Sequence, residues 1–177
     1  MQTSNSIIYT QYYKSPCGLL YLAEHAGRLC LCDWAEVSVH YSQHLKQIEK
    51  ILRAVTVEDS SPTLQKATEE LDEYFRGKRQ KFDIPLQPIG THFQTDVWTA
   101  LCNIPYGTTC SYKDLTISIG RNPRCVRPVA QAIGANKLSI FIPCHRVIGS
   151  NNSLTGFAGG LAAKRFLLQL EHPQGNK

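Results

Sequence analysis

The chain has 177 residues and a formal charge of +5, which is enough chain to bury a hydrophobic core without disulfides. Its seven cysteines are an odd number and include no Cys-x-x-Cys pair, which argues against an oxidised framework and fits a reducing compartment. No apolar stretch approaches the ~18 residues of a membrane span, and the first five residues do not begin a secretion signal. We therefore expect a soluble protein that is cytoplasmic, or nuclear if its source is eukaryotic.

The charge is unevenly distributed between the two halves. Residues 1–90 contain 10 Lys and Arg against 11 Asp and Glu, a net charge of −1, whereas residues 91–177 contain 9 against 3, a net charge of +6. A region depleted of acids repels a polyanion less, and nucleic acid is the usual polyanion. Moderate basicity also occurs without nucleic-acid binding, so the charge supports that function without deciding it.

The first part of the chain predicts a mixed α/β domain with a small antiparallel sheet. Aromatic and β-branched runs predict strands at residues 6–13 and 19–24, and residues 29–34 supply a third strand after Ala26-Gly27. Ser15-Pro16-Cys17-Gly18 is typical of a hairpin turn between the first two strands.

Two helices and a boundary follow. Apolar residues at helical spacing predict helices at 45–52 and 64–75. Segment 82–90 contains two prolines and is expected to be an extended linker. The charge balance changes there too, so we place the boundary between a domain of residues 1–89 and one of residues 90–177.

The second domain is predicted to be mostly helical. Thr91 can cap a first helix, and Ser111 begins a capping-box pattern that opens a short helix ending near Ile119. After a break at residues 120–123, a further helix to about Ala135 carries basic side chains. This order is typical of a helix-turn-helix, although many helical hairpins bind no DNA. The expected fold class is therefore α+β.

Pro128 conflicts with the second of these motif helices. Proline removes a backbone donor and crowds the carbonyl four residues earlier in the chain. Either the helix kinks, or it starts near Arg127 with Pro128 in its first turn.

The segment Pro143-Cys144-His145-Arg146-Val147 places a thiol beside an imidazole, after an apolar run at 138–142 that we expect to be a short strand. A free thiol with a pKa of about 8.5 is only a few per cent thiolate at neutral pH, so a nucleophilic cysteine needs a nearby base or positive charge. A lone cysteine is more often a small buried hydrophobe. With a base beside it and a strand ending before it, Cys144 is better interpreted as a nucleophile.

Several motifs occur together around this cysteine. They are Ile142-Pro143-Cys144-His145-Arg146-Val147-Ile148-Gly149, Thr155-Gly156-Phe157-Ala158-Gly159-Gly160-Leu161, Leu167-Leu168-Gln169-Leu170-Glu171 and, upstream, Gly90-Thr91-His92-Phe93-Gln94, Val97-Trp98, Ile104-Pro105-Tyr106-Gly107 and Ser111-Tyr112. In this order they resemble the O6-alkylguanine-DNA alkyltransferases, also called methylated-DNA-protein-cysteine methyltransferases. The resemblance is dense over residues 90–171, whereas the first domain fits only by length and by its Pro-x-Gly hairpin.

The resemblance implies a single-turnover DNA repair reaction. A monomer would bind duplex DNA through its helix-turn-helix, flip out an O6-alkylguanine such as O6-methylguanine, and transfer the alkyl group irreversibly to Cys144. The chemistry needs no metal, redox cofactor or methyl donor besides the DNA, and no membrane partner. Alkyl size and activity on O4-methylthymine are left open.

The resemblance also assigns roles to the catalytic side chains. His145 would take the thiol proton through a bridging water, and Glu171 would orient that imidazole. Tyr112 would donate to the departing base, and Asn136 would brace the turn that carries Cys144. Each residue also has an ordinary structural interpretation, such as a solvated acid for Glu171 or a half-buried ring for Tyr112.

The remaining implied sites lie on DNA. Arg127 would enter the base stack in place of the extruded base. The residues that would contact DNA are Gln94, Tyr112, Lys113, Asn122, Arg127 and Ser150, and those of the base pocket are Val147, Phe157, Ala158 and Gly159. Some family members bind zinc in the first domain, but the cysteines and histidine here match no closed zinc spacing, so we predict no metal site.

Three alternatives come from other functional classes. A DNA-binding regulator would use the helix-turn-helix without chemistry, and its DNA binding would be insensitive to loss of Cys144. An alkyltransferase-like protein would lack the nucleophile. A cysteine hydrolase would need a histidine brought from a distance, and His145 adjoins Cys144. We therefore prefer the self-alkylating repair protein.

Overall fold

The computed structural model describes residues 6–36 and 40–172. The chain divides into two compact units, Met1–Ile89 and Gly90–Lys177. The residues at 1–5, used above to argue against a secretion signal, lie outside the described part. None of the helices that the structure describes has the length and apolar character needed to cross a membrane.

The first unit is a four-stranded sheet with two helices. Its elements are β1 (Ser6–Ser15), β2 (Gly18–His25), β3 (Arg28–Trp34), α1 (His40–Leu52), β4 (Ala54–Glu58) and α2 (Pro62–Phe75). The strand order is β3-β2-β1-β4, and the predicted hairpins β1–β2 and β2–β3 are antiparallel. The fourth strand was missed, and it pairs with β1 in parallel.

The two helices cover opposite faces of this sheet. Successive strand residues point to opposite sides, so Tyr12 and Tyr13 face different layers. The hydroxyls of Tyr12 and Tyr41 on α1 lie 3.5 Å apart, whereas Tyr13 donates to Asp72 on α2 at 2.7 Å. Ile48 of α1 packs in the apolar cluster between α1 and the face of the sheet that α1 covers.

Segment 82–90 is irregular, as expected, but it is not a loose linker. Leu29 of β3 donates to the Pro85 carbonyl at 2.9 Å and accepts from the Gln87 amide at 2.8 Å. Leu86 thereby bridges to Leu29 in parallel. The segment consequently covers the β3 edge of the sheet.

The second unit is mostly helical. Its elements are α3 (His92–Cys102), β5 (Cys110–Ser111), α4 (Tyr112–Ser118), α5 (Val126–Gly134), β6 (Val147–Ile148) and α6 (Gly160–Glu171), with short 3-10 turns at Pro123–Cys125 and Cys144–Arg146. The predicted caps Thr91, Ser111 and Asn122 each accept a backbone N–H. Helix α4 packs on α5 across a turn in which Gly120 has a φ of 70°, a left-handed conformation that favours glycine. The predicted α+β fold class is confirmed.

The conflict at Pro128 is resolved by the helix start. Helix α5 begins at Val126, so Pro128 is its third residue, in the first turn, where the backbone N–H has no intrahelical partner. The second of the two alternatives for Pro128 is therefore correct.

The expected strand at residues 138–142 was wrong. The segment is a tight turn in which Ile142 N donates to Leu138 O at 2.8 Å and Ile140 has a φ of 74°. The cause is Asn136, whose side chain accepts from Leu138 N and donates to Ile142 O. Such side-chain bonds to local backbone compete with strand pairing. Cys144 therefore opens a 3-10 turn and does not follow a strand.

Candidate active site

Cys144 is held beside an amide donor. Its side chain is buried, with the residue 7% exposed, and Asn136 Nδ2 donates to the sulfur at 3.1 Å. The same nitrogen donates to Ile142 O at 3.0 Å, and Asn136 Oδ1 accepts from Leu138 N at 2.9 Å. These bonds fix the orientation of the amide, so its N–H points at the sulfur. A hydrogen bond donated to a thiolate favours the charged form.

His145 is fully buried against Glu171. Its Nε2 lies 2.7 Å from Glu171 Oε1. Because an ionised carboxylate can only accept, the proton of a neutral imidazole must be on Nε2, which leaves Nδ1 with a lone pair. Nδ1 is buried and has no hydrogen-bond partner among the described residues. Burial lowers the pKa of His145, against the opposing effect of Glu171, so the ring is neutral and able to accept a proton at pH 7.

Glu171 has a second side-chain partner, the cation Arg146, which the sequence analysis considered only as a neighbour of Cys144. Arg146 Nε donates to Oε2 at 2.8 Å and Nη2 donates to Oε1 at 3.0 Å, while Nη1 donates to Ile104 O at 2.6 Å. Burial would raise the pKa of Glu171, but hydrogen bonds from His145 and Arg146 hold it at about 2. These two partners explain why an acid is stable at the C-terminal end of α6, where the helix dipole disfavours it.

The turn at Gly107 closes the other side of this carboxylate. Gly107 N donates to Glu171 Oε2 at 3.3 Å. Its φ is 74°, and a Cβ there would lie 3.0 Å from Glu171 O. A side chain at Gly107 would therefore be both strained and crowded, and glycine lets the turn approach the end of α6.

Lys164 is a site residue that the sequence analysis missed. It is fully buried, and its ammonium donates to the carbonyls of Val147 at 2.6 Å and Thr155 at 2.9 Å. Burial lowers the pKa of Lys164, and the charge of Cys144 opposes that effect. The ammonium also lies 6.0 Å from the ring centroid of Tyr112. Lys164 therefore ties together the segments that precede and follow Gly149.

A signal for Lys164 was present in the pattern of α6. Lys164, Leu167 and Glu171 are all buried, at spacings of three and four residues. They therefore share one helix face. Charged residues within an apolar stripe need buried partners, and this was the available sign of both side chains.

The segments predicted to form the base pocket adjoin these residues. Val147 and Gly159 are buried, Phe157 is half-buried and Ala158 is exposed. The carbonyl of Val147, a residue that the resemblance assigns to the base pocket, already accepts from Lys164. A carbonyl oxygen has a second lone pair, so it can accept one further bond.

Known proteins match the chain over both units. The model for the ribonuclease-like domain of 6-O-methylguanine DNA methyltransferase matches residues 8–88, and that for its DNA binding domain matches residues 92–173. A methylated-DNA–protein-cysteine methyltransferase of Methanosarcina barkeri is 41% identical over 164 residues, covering 93% of this chain and 97% of that protein. One of Haemophilus influenzae is also 41% identical, covering 93% and 86%. The chain belongs to the 6-O-methylguanine DNA methyltransferase family.

Solved structures agree with this family. The O6-methylguanine methyltransferase of Mycobacterium tuberculosis matches with a TM-score of 0.79 and 36% identity, covering 96% of this chain and 95% of that one. The OGT protein of the same organism, solved in complex with DNA, matches with a TM-score of 0.78 and 38% identity, covering 94% and 93%.

Some of the side chains expected to contact DNA are exposed or line a cavity, whereas others already make hydrogen bonds within the protein. A cavity of about 370 Å³ is lined by both Lys113 and Ser150. Arg127 is exposed in the first turn of α5. Gln94 and Asn122 act in helix capping, because Gln94 Oε1 accepts from Thr91 N at 2.9 Å and Asn122 Oδ1 accepts from Arg124 N at 2.9 Å.

Proposed function

We propose that this protein repairs O6-alkylguanine in double-stranded DNA by transferring the alkyl group irreversibly to Cys144. The proposal rests on one observation above all. A buried thiol has an amide donor on one side and, next in the chain, an imidazole whose Nε2 is bound to a carboxylate. The names of the similar proteins from M. barkeri and H. influenzae, and the DNA complex of the M. tuberculosis protein, support the same activity.

The first step is formation of the thiolate. The proton of Cys144 passes to Nδ1 of His145, through a bridging water, since Nε2 already bears the proton donated to Glu171. The Asn136 amide stabilises the resulting anion, and Lys164 places a positive charge nearby. Charge-assisted hydrogen bonds of this kind are about twice as strong as neutral ones.

The second step is an in-line displacement at the alkyl carbon. The bond from Cys144 Sγ to carbon forms as the bond from carbon to O6 of guanine breaks, and the bonding pair leaves with the base. Tyr112, at the start of α4, supplies a proton to the departing base and is reprotonated from solvent. The product thioether has no leaving group comparable to guanine, so each chain reacts once.

The two units have different tasks. We assign residues 1–89 to a scaffold domain and residues 90–177 to the domain that binds DNA and carries the reaction. Arg127 would fill the space left by the extruded base, and Lys113 and Ser150 would contact phosphates. We propose that the reacting unit is a monomer, acting in the cytoplasm or, in a eukaryote, the nucleus.

Intact mass spectrometry tests this function. Protein mixed with an excess of duplex containing O6-methylguanine should gain one methyl group, mapped to Cys144, while the duplex regains guanine. Cys144→Ala should bind the duplex and gain no mass, whereas Cys102→Ala, which alters an exposed cysteine of the same unit, should react normally. A methyl group on another cysteine would refute the site, and binding with no transfer would favour a regulator.

A further inference from the structure

The turn between α4 and α5 fixes the backbone of Arg121. Gly120 N donates to Ile117 O at 2.9 Å, and Arg121 N donates to Thr116 O at 3.1 Å. With Gly120 in the left-handed conformation, these two bonds form a Schellman motif that ends α4. The residue in the place of Arg121 commonly makes a hydrophobic contact with the last turn of such a helix. An arginine at this place therefore has a side chain that the turn itself does not require.

The side chain of Arg121 lies over an aromatic ring of another helix. Its Cζ is 5.5 Å from the centroid of the Phe93 ring, in the first turn of α3. The negative face of a ring attracts a guanidinium and restricts its position. The ring offers no oxygen or nitrogen acceptor, so the five N–H donors of this exposed guanidinium still need acceptors.

Arg121 is one of three exposed arginines that have no ion pair in the described part of the chain. The others are Arg124 and Arg127. Arg124 lies in the 3-10 turn and Arg127 in the first turn of α5, where residues three apart lie on the same side. Residues 91–177 contain only three acids, so an anion from outside the protein is the partner that suits these charges.

The proposed function supplies that anion, and the present inference rests on it for the ligand. Arg127 would fill the space left by the extruded base, and Gln94, next to Phe93, is also expected to contact DNA. The Arg121 guanidinium lies between these two expected contacts, so it comes beside the backbone of the same duplex. A guanidinium binds phosphate oxygens through paired N–H donors.

We propose that Arg121 binds a backbone phosphate of the duplex away from the lesion, and that Phe93 is the positioning residue that holds its guanidinium for this contact. A side chain that is already held loses less conformational freedom when it binds. A phosphate contact carries no sequence information, so this one raises the affinity for any duplex, with or without a lesion.

Fluorescence anisotropy with an unmodified duplex, repeated at several salt concentrations, tests the phosphate contact. Arg121→Gln should bind about tenfold more weakly at about 0.1 M salt, and the slope of log affinity against log salt should fall by about 1. Arg165→Gln makes the same charge change at an exposed position of α6 and should leave both the affinity and the slope unchanged. Identical behaviour of the two variants overturns the proposal.

A double-mutant cycle tests the role of the ring. Phe93→Leu should weaken binding about two- to fivefold, the range expected from losing a cation–π contact, whereas Phe93→Tyr keeps the ring and should bind like the wild type. In the Arg121→Gln background, Phe93→Leu should have no further effect on affinity. Equal losses in both backgrounds would show that Phe93 serves only in packing, and would overturn its positioning role.

Single-turnover transfer from an O6-methylguanine duplex separates this contact from the reaction. Arg121→Gln should raise the duplex concentration that gives half the maximal rate about tenfold and should change the rate at saturation far less. A rate at saturation that falls as much as the affinity would place Arg121 in the reaction and overturn the proposal. Failure of the wild type to transfer any alkyl group would refute the proposed function alone, because binding to the unmodified duplex is measured independently.

Discussion

The most informative perturbation of the site is Glu171→Gln, which keeps the volume of the side chain and removes its charge. Side chains donate three hydrogen bonds to this carboxylate, two from Arg146 at 2.8 and 3.0 Å and one from His145 at 2.7 Å. Both partners are buried, so Arg146 would keep its charge without a counter-ion. Removing one partner of a buried ion pair costs about 3–5 kcal/mol of unfolding free energy.

Urea unfolding measures this loss in the unit that contains it. Each unit has one buried tryptophan, Trp34 in the first and Trp98 in the second. In a Trp34→Phe background, fluorescence therefore reports on the second unit alone. The Glu171→Gln variant should lose about 3–5 kcal/mol there. Asp96→Asn, an exposed carboxylate of the same unit, is the matched control and should change stability by less than about 0.5 kcal/mol.

The sign of the pH dependence adds a second check. The pKa of Glu171 is lowered from 4.5 to about 2, so its stabilising effect is fully present above pH 4.5 and is lost as the pH falls toward 2. The difference between wild type and Glu171→Gln should shrink over that window. Equal stability of the two proteins at pH 7 would refute the argument that this carboxylate is a buried counter-ion.

Three further predictions concern the reaction itself. Burial lowers the pKa of His145, so the single-turnover rate should stay constant as the pH falls to about 6.5 and should decrease only below that pH. A decrease centred at or above about pH 6.5 would contradict a neutral buried base. Lys164→Met should slow alkyl transfer at least about tenfold, which corresponds to an activation free energy higher by about 1.4 kcal/mol, because the carbonyls of Val147 and Thr155 are no longer tied together. Arg165→Met, at an exposed position, should leave the transfer rate unchanged. Tyr112→Phe should lower the transfer rate more than the DNA affinity measured by fluorescence anisotropy, and equal losses in both would show that this side chain serves only in docking.

The parts of the fold that the sequence predicted are those with local signals. The first three strands are short runs rich in apolar and aromatic residues, and Gly-containing turns separate them. Strand β4 was missed because it follows α1 directly, and the turn between them is made by Arg53 with a φ of 51°, without glycine or proline. A left-handed residue of ordinary type leaves no mark in the sequence.

The candidate site also has features that local sequence signals predicted and features that they did not. The adjacency of Cys144 and His145 and the position of Glu171 could be read from motifs, because spacing in the chain carries them. The partners of Lys164 and Arg146 could not, because they are backbone carbonyls and a carboxylate brought near by the fold. The turn at residues 138–142 depends on a single side chain, Asn136, whose choice of local bonds overrides an apolar pattern.

Two buried cations, Arg146 and Lys164, lie near the sulfur that becomes an anion in the proposed reaction, and the charges of the site account for both. Before reaction, Arg146 and Glu171 neutralise each other, and a neutral His145 leaves that buried cluster with no net charge. In the proposed first step Cys144 gives its proton to His145, so the cluster would become positive and the thiolate negative, and charge would separate over a short distance without a net change. The Lys164 ammonium, which interacts electrostatically with Cys144, then favours the anion from a second side. Once the sulfur is alkylated it is neutral, the charges on His145 and Lys164 no longer face an anion, and His145 can release its proton.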